Sequence, residues 1–132
     1  ILMKVHKSNY SIEGFTSEVD FEEIVKVAKE NNLIDYYDMG SGHIIDLPFN
    51  LSSKEPSILE IMKYKPSLLS FSGDKLLGSV QAGIIIGKKE LIEKIKKNQL
   101  SQDFFNSGRF KSSVIISFIA LCLNSSRGVL IL

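Results

Sequence analysis

The sequence predicts an α/β domain, with helices covering a mostly parallel sheet. Short apolar runs of strand length, Ile1 to His6, Leu33 to Tyr37, Leu68 to Phe71 and Ala82 to Ile86, alternate with segments whose apolar residues recur at helical spacing. A length of 132 residues, 44% hydrophobic and 23% charged, is enough for one core. Glycine- and serine-rich turns follow the expected strands, and α/β sheets build ligand sites outside the carboxyl ends of their strands.

A net charge of +1 makes no electrostatic case for nucleic acid. The single cysteine, Cys122, lies in the apolar run Ile119 to Leu123 and reads as a core residue; it excludes an internal disulfide framework and fits a reducing compartment. The longest apolar stretch, Val114 to Leu123, is interrupted by Ser117 and too short to span a bilayer. No basic-then-apolar leader opens the chain, so a cytoplasmic protein without membrane attachment is expected. The chain also opens on what reads as a buried strand, as a piece of a longer protein would.

The first strand runs into the polar segment Lys7 to Tyr10. Asp20 and Glu23 read as a helix N-cap with its capping-box partner, after which Phe21, Ile24, Val25 and Ala28 share one helical face opposite Glu22, Lys26, Lys29 and Glu30. A strand from Leu33 to Tyr37 ends at Asp38-Met39-Gly40-Ser41-Gly42, which places Asp38 at a strand mouth; taken alone, Asp38 reads as a turn-forming residue. His43 reads as a surface residue and 43–54 as irregular. Pro56 suits the first turn of a helix with Ile58, Ile61 and Met62 inward, and Pro66 ends it.

The third strand, Leu68 to Phe71, enters a loop in which Lys75 is framed by Gly73, Gly78 and Gly83, so the backbone can turn tightly and approach a ligand. The connection from Gly73 to Gln81 is too short for a parallel crossover, so Ala82 to Ile86 is expected to pair antiparallel with its predecessor. Lys88 to Lys97 reads as a helix with Leu91, Ile92 and Ile95 inward and Glu90/Lys94 and Glu93/Lys97 at paired spacing. Ser101 to Gly108 reads as a loop, Lys111 to Asn124 as a helix and Ser125 onward as a tail. A lysine in a glycine turn is by itself an ordinary surface residue, and no Cys, His or carboxylate cluster has metal-ligand spacing.

The segment Ser72-Gly73-Asp74-Lys75-Leu76-Leu77-Gly78, followed by Gln81-Ala82-Gly83-Ile84-Ile85, resembles the cofactor-lysine segment of the bacterial selenocysteine synthase (L-seryl-tRNA(Sec) selenium transferase) family, which are fold-type-I pyridoxal 5'-phosphate (PLP) enzymes. The resemblance runs from about Leu2 to Lys97. It implies that residues 1–100 are part of the PLP-binding large domain and 101–132 a divergent C-terminal helix and tail. It implies that Lys75 is the Schiff-base lysine and proton carrier, and that Asp38 keeps the pyridine nitrogen protonated. Ser72 resembles the hydroxyl that faces the cofactor phosphate, although a turn-capping serine would look the same. His6 and Asn9 follow the first strand and border the expected site.

The family reaction takes seryl-tRNA(Sec) through an aminoacrylyl intermediate to which selenium from selenophosphate adds. It runs in homo-oligomers with sites between subunits. The sequence departs from the family pattern after the charged helix. Gln102 and Phe105 stand where relatives carry two arginines, and Ser79-Val80 stand where they show Gly-Pro; a guanidinium's fixed charge and forked donors have no equivalent in glutamine or phenylalanine. The implied function is therefore a fragment of such a transferase, inactive alone. The alternatives are a related PLP-dependent lyase acting on a small amino acid, or a remnant without catalysis that serves as a fold or assembly piece.

Overall fold

A computed structural model describes residues 1–7, 14–15, 17–44, 56–78, 81–98 and 127–132. The elements are β1 (Leu2–Val5), α1 (Phe21–Glu30), β2 (Asp35–Asp38), α2 (Ile58–Lys63), β3 (Leu68–Ser72), β4 (Gly83–Lys88), α3 (Lys89–Lys96) and β5 (Arg127–Ile131). They form one five-stranded sheet in the order β1-β2-β3-β4-β5. The α/β expectation holds. The expectation of a mostly parallel sheet holds only for β1, β2 and β3, since β4 runs antiparallel to both β3 and β5. The short loop after β3 forces that reversal, as its length predicts.

Register sorts the side chains onto two faces. Tyr37, Leu69 and Ile86 share one row and Phe71 and Ile84 the next. Both rows lie against Phe21 and Val25 of α1 and Ile58 and Ile61 of α2, which together make the core. Phe21 stacks on Tyr37 with ring centroids 4.8 Å apart. The other face carries the row Val5, Asp38, Ser70, Ile85 and Leu130. Helix α3 covers only the β4–β5 end of that face: Ile92 and Leu130 are buried there, while Met3 and Val5 on β1 are 51% and 56% exposed.

Caps and glycines account for where elements start and touch. Asp20 is the N-cap residue of α1 but makes no side-chain cap bond, so the expected capping box with Glu23 is absent. The box belongs to α2: Ser57 Oγ accepts from Glu60 N at 3.2 Å and Ser57 N donates to Glu60 Oε2 at 2.8 Å. Pro56 therefore precedes the cap instead of occupying the first turn. The helix ends at Lys63, and Lys65 takes a positive φ of 55° just before Pro66. In α3, Glu93 pairs with Lys96 at 3.1 Å, one residue short of the expected i,i+4 partner. Gly87 has no room for a side chain, since a Cβ there would lie 2.4 Å from the Ser67 carbonyl oxygen.

The tail beyond Ser125 is not merely a tail, because Arg127–Ile131 closes the sheet as β5. Arg127, glycine and three apolar residues make a strand that alternation alone did not mark. The expected 101–108 loop, the 111–124 helix, Asn9, Ser79, Val80, Gln102, Phe105 and Cys122 lie outside the described residues. Among the described residues, no helix is long and apolar enough to cross a membrane.

Two outcomes follow from these packings. Gly87→Ala should destabilise the chain by about 1–3 kcal/mol through overpacking against backbone, whereas Gly83→Ala, whose Cβ would meet only Leu132 at 3.8 Å, should stay within about 0.5 kcal/mol; paired denaturant titrations read both. The second concerns acid. The bonds from Ser57 hold the Glu60 carboxyl below its ordinary value of 4.5, so the stabilisation it gives is present above that value and lost as pH falls through its folded pKa. The penalty of Glu60→Ala measured by thermal melts should accordingly be full at neutral pH and fade on acidification below 4.5.

Candidate functional site

At the carboxyl end of β2 the chain places a carboxylate that is held but not buried. Ser70 Oγ donates to Asp38 Oδ1 at 2.9 Å, and the amide of Gly40 reaches the same oxygen at 3.2 Å. The Tyr36 hydroxyl adjoins Ser70 Oγ at 2.7 Å, so Tyr36, Ser70 and Asp38 form one chain of polar contacts across β2 and β3. The register puts Asp38 opposite Ser70 and Tyr36 opposite Leu68, which sets all three polar side chains on the incompletely covered face. With both bonds converging on Oδ1, Oδ2 keeps capacity for a further donor. Sequence reasoning found Asp38 and missed Tyr36 and Ser70. Their period-2 placement with Asp38 on neighbouring strands was the available signal, readable only once the strand register is known.

Gly40 turns the chain at a φ of 63°, and its carbonyl accepts from Ser72 N at 2.9 Å, binding the turn after β2 to the end of β3. Gly42 lies where a Cβ would sit 3.0 Å from Phe71 Cβ. That close approach draws the next residue inward: His43 is 2% exposed, against the expectation of a surface histidine, and its carbonyl accepts from Ile58 N at 2.8 Å. His43 Nδ1 finds no hydrogen-bond partner among the described residues.

Beside Asp38 opens a pocket of 280 Å³ lined by Gly40, Ser70, Phe71, Ser72, Gly83, Ile84, Ile85 and Leu132. Its position, at the carboxyl ends of β2, β3 and β5, is where open α/β sheets bind ligands. Ser72 is a wall of this pocket, and its hydroxyl donates to the Asp74 carboxylate. Lys75 is not in the lining. It stands exposed on the turn that leaves β3, where Gly78 N donates to the Lys75 carbonyl at 2.9 Å and Gly78 takes a φ of 65°. The two feet of that loop, Ser72 and Gly83, both border the pocket. The structure thus brings Asp38 and Ser72 to one pocket and leaves Lys75 exposed on the connecting loop, outside the lining.

Away from the pocket, at the opposite ends of the strands, Asp35 is buried and accepts Ser67 N at 2.7 Å and Ser67 Oγ at 2.6 Å. Arg127 reaches the Pro66 carbonyl nearby; burial pulls its guanidinium below its ordinary pKa and the Asp35 carboxylate opposes that shift. His6, at the end of β1, donates its backbone N–H to the Asp38 carbonyl at 2.8 Å and so borders the site through main chain. Among the described residues no group of three His, Cys, Asp or Glu side chains gathers in a way that could hold a metal ion.

A mixed α/β sheet with a carboxylate and a pocket at the carboxyl ends of its strands has the layout of a ligand-binding α/β domain. Comparison with known proteins narrows the class. The profile of the SelA family, described as L-seryl-tRNA selenium transferase, matches residues 1–111, and the chain belongs to that family. The L-seryl-tRNA(Sec) selenium transferase of Aliarcobacter butzleri is 85% identical over 100 residues, 76% of this chain and 22% of the relative. Its namesakes in Sulfurimonas denitrificans and Nautilia profundicola are 74% and 64% identical over 100 and 104 residues. The chain thus spans between a fifth and a quarter of the length of these relatives, 22% to 23%.

The polar chain at Asp38 makes a thermodynamic prediction. Ser70→Ala and Tyr36→Phe remove the two ends of one hydrogen bond, so their stability effects should be non-additive, with a coupling of about 0.5–1.5 kcal/mol in a double-mutant cycle. Strict additivity would mean that the three groups do not act as one chain.

Proposed function

We propose that this chain carries the lysine-and-aspartate half of the PLP site of a fold-type-I selenium transferase that converts seryl-tRNA(Sec) to selenocysteinyl-tRNA(Sec). The observation that carries the reading is the Asp38 carboxylate, held on Oδ1 by Ser70 and Gly40 at the mouth of a pocket bordered by both feet of the Lys75 loop. Family membership and the activity for which the relatives are named supply the substrate class.

The residues present fit the cofactor at one end. Asp38 Oδ2 has the capacity to face a protonated ring nitrogen, and its negative charge favours that protonation. When bound, the cofactor supplies an electron sink for the carbanion at the substrate α-carbon. Lys75 provides the amine that holds the group and later carries the α-proton. Its exposed position on a glycine-framed turn lets the side chain swing toward the pocket, while Ser70 fixes the Asp38 rotamer. Ser72 would have to exchange its bond to Asp74 to serve a phosphate, so it enters the proposal as a pocket wall that can be recruited. Selenophosphate as the selenium donor, seryl-tRNA(Sec) as the acceptor, sites shared between subunits of a homo-oligomer and a cytoplasmic location complete the reading.

The test is borohydride reduction of the full 132-residue chain after incubation with pyridoxal phosphate, followed by peptide mapping. The pyridoxyl group should sit on Lys75 in preference to the other lysines, and Asp38→Asn should leave that label in place. Labelling spread evenly over the exposed lysines of α1 and α3 would overturn the assignment. In a longer parent enzyme, Asp38→Asn should slow turnover by one to two decades, since a charge-assisted contact is worth about 1.5–3 kcal/mol.

A further inference from the structure

The lysine loop leaves β3 at Gly73 and returns to β4 at Gly83. Within the described part of the loop, Gly78 N bonds the Lys75 carbonyl at 2.9 Å; at the base, Gly73 N donates to the Ala82 carbonyl at 2.8 Å. The next rung outward belongs to another element. Gly83 N donates to the Leu132 carbonyl at 3.0 Å, and Leu132 N donates back to the Gly83 carbonyl at 2.7 Å. Gly83 is therefore held between Ser72 on one side and Leu132 on the other. The Leu132 side chain also lines the pocket that contains Asp38.

The rest of β5 is built to deliver Leu132 to that place. Arg127 anchors the far end of the strand on the Pro66 carbonyl, close to Asp35. Gly128 passes beneath α3, where a Cβ would lie 3.0 Å from Ile92 Cβ, so a side chain at the second position of the strand would press on Ile92. Leu130 is buried against the same helix face, 2% exposed. Each of these contacts fixes the register of β5 on β4, and the register decides that residue 132 meets Gly83. Residues 127–132 lie beyond the 1–111 span that the family profile matches, so nothing about family membership assigns this strand a role.

We propose that β5 is the positioning strand of the lysine loop, with the Leu132–Gly83 pair clamping the returning foot and the Leu132 side chain closing one wall of the pocket. The functional weight of the clamp rests on the reading of Lys75 given above, but the clamp itself does not. Without β5, Gly83 becomes part of an open edge, and the backbone bond that closes the loop base is left to fray.

The experiment is amide hydrogen exchange on the full chain and on two variants, followed by pyridoxal phosphate trapping at Lys75 with borohydride. Gly128→Val drives a side chain into Ile92 and displaces the strand; Leu132→Pro removes the donor to the Gly83 carbonyl and the leucine side chain at the pocket, leaving only the carbonyl that accepts from Gly83 N. The diagnostic amide is Gly73, whose N–H donates to the Ala82 carbonyl and not to β5. Its exchange should speed up by about tenfold or more in both variants, with the central amides of β3 and β4 still protected. The rate of Lys75 trapping should change in the same variants. Should Gly128→Val also strip protection from β3, the chain has unfolded and Leu132→Pro alone decides. Wild-type protection at Gly73 once the Leu132 bond is gone would overturn the proposal. Faster exchange at Gly73 with no pyridoxyl label on Lys75 in any protein would uphold the clamp while sinking the cofactor reading.

Discussion

The parallel register of β2 on β3, with Asp38 opposite Ser70, is the constraint on which the candidate site depends. It brings a hydroxyl to the carboxylate and a second hydroxyl, that of Tyr36, to the first, so an aspartate at the end of a strand acquires a fixed orientation. Main chain reinforces the same geometry, since Met39 N donates to the Ser70 carbonyl at 2.9 Å and Ser72 N to the Gly40 carbonyl at 2.9 Å. A carboxylate held through one oxygen keeps a fixed orientation and retains a face for a ligand.

That register is in turn held by one-sided burial. Tyr37, Leu69, Phe71, Ile84 and Ile86 are packed under α1 and α2, whereas among the described residues the opposite face is covered where α3 crosses β4 and β5. The core supplies apolar area where the chemistry is absent, and the polar row lies where helices leave the sheet open. Close backbone approaches at Gly42 and Gly87 tighten the two ends of this arrangement, one near the site and one far from it.

Much of the fold was legible because its determinants are local. Alternating apolar runs marked β1 to β4, helical spacing marked α1, α2 and α3, and a loop too short to cross over dictated the reversal at β4. What depended on tertiary contact was not legible. Asp20 looked like a capping residue with Glu23 and makes no cap bond, while Ser57 and Glu60 form the box. His43 looked exposed because nothing in its neighbours announces that Gly42 lets the chain lie on Phe71. β5 escaped notice because a five-residue strand of basic, glycine and apolar residues has meaning only against Ile92 and Gly83. Of the candidate site, Asp38 and Lys75 were readable from strand ends and motif, but Ser70 and Tyr36 required knowing which strands lie side by side.

Asp35 and Asp38 stand three positions apart on one strand and so point to opposite faces. Asp35 is sealed against Ser67 under the core layer, and Asp38 faces the open side. If β2 slid by a single residue, Asp38 would enter the apolar layer without Ser67 to receive it and Tyr37 would surface. The pair therefore works as a parity check on strand pairing, in which a misaligned sheet strands a charge and declares its error during folding. Such a check protects the orientation of the site carboxylate with a residue that has no part in the pocket.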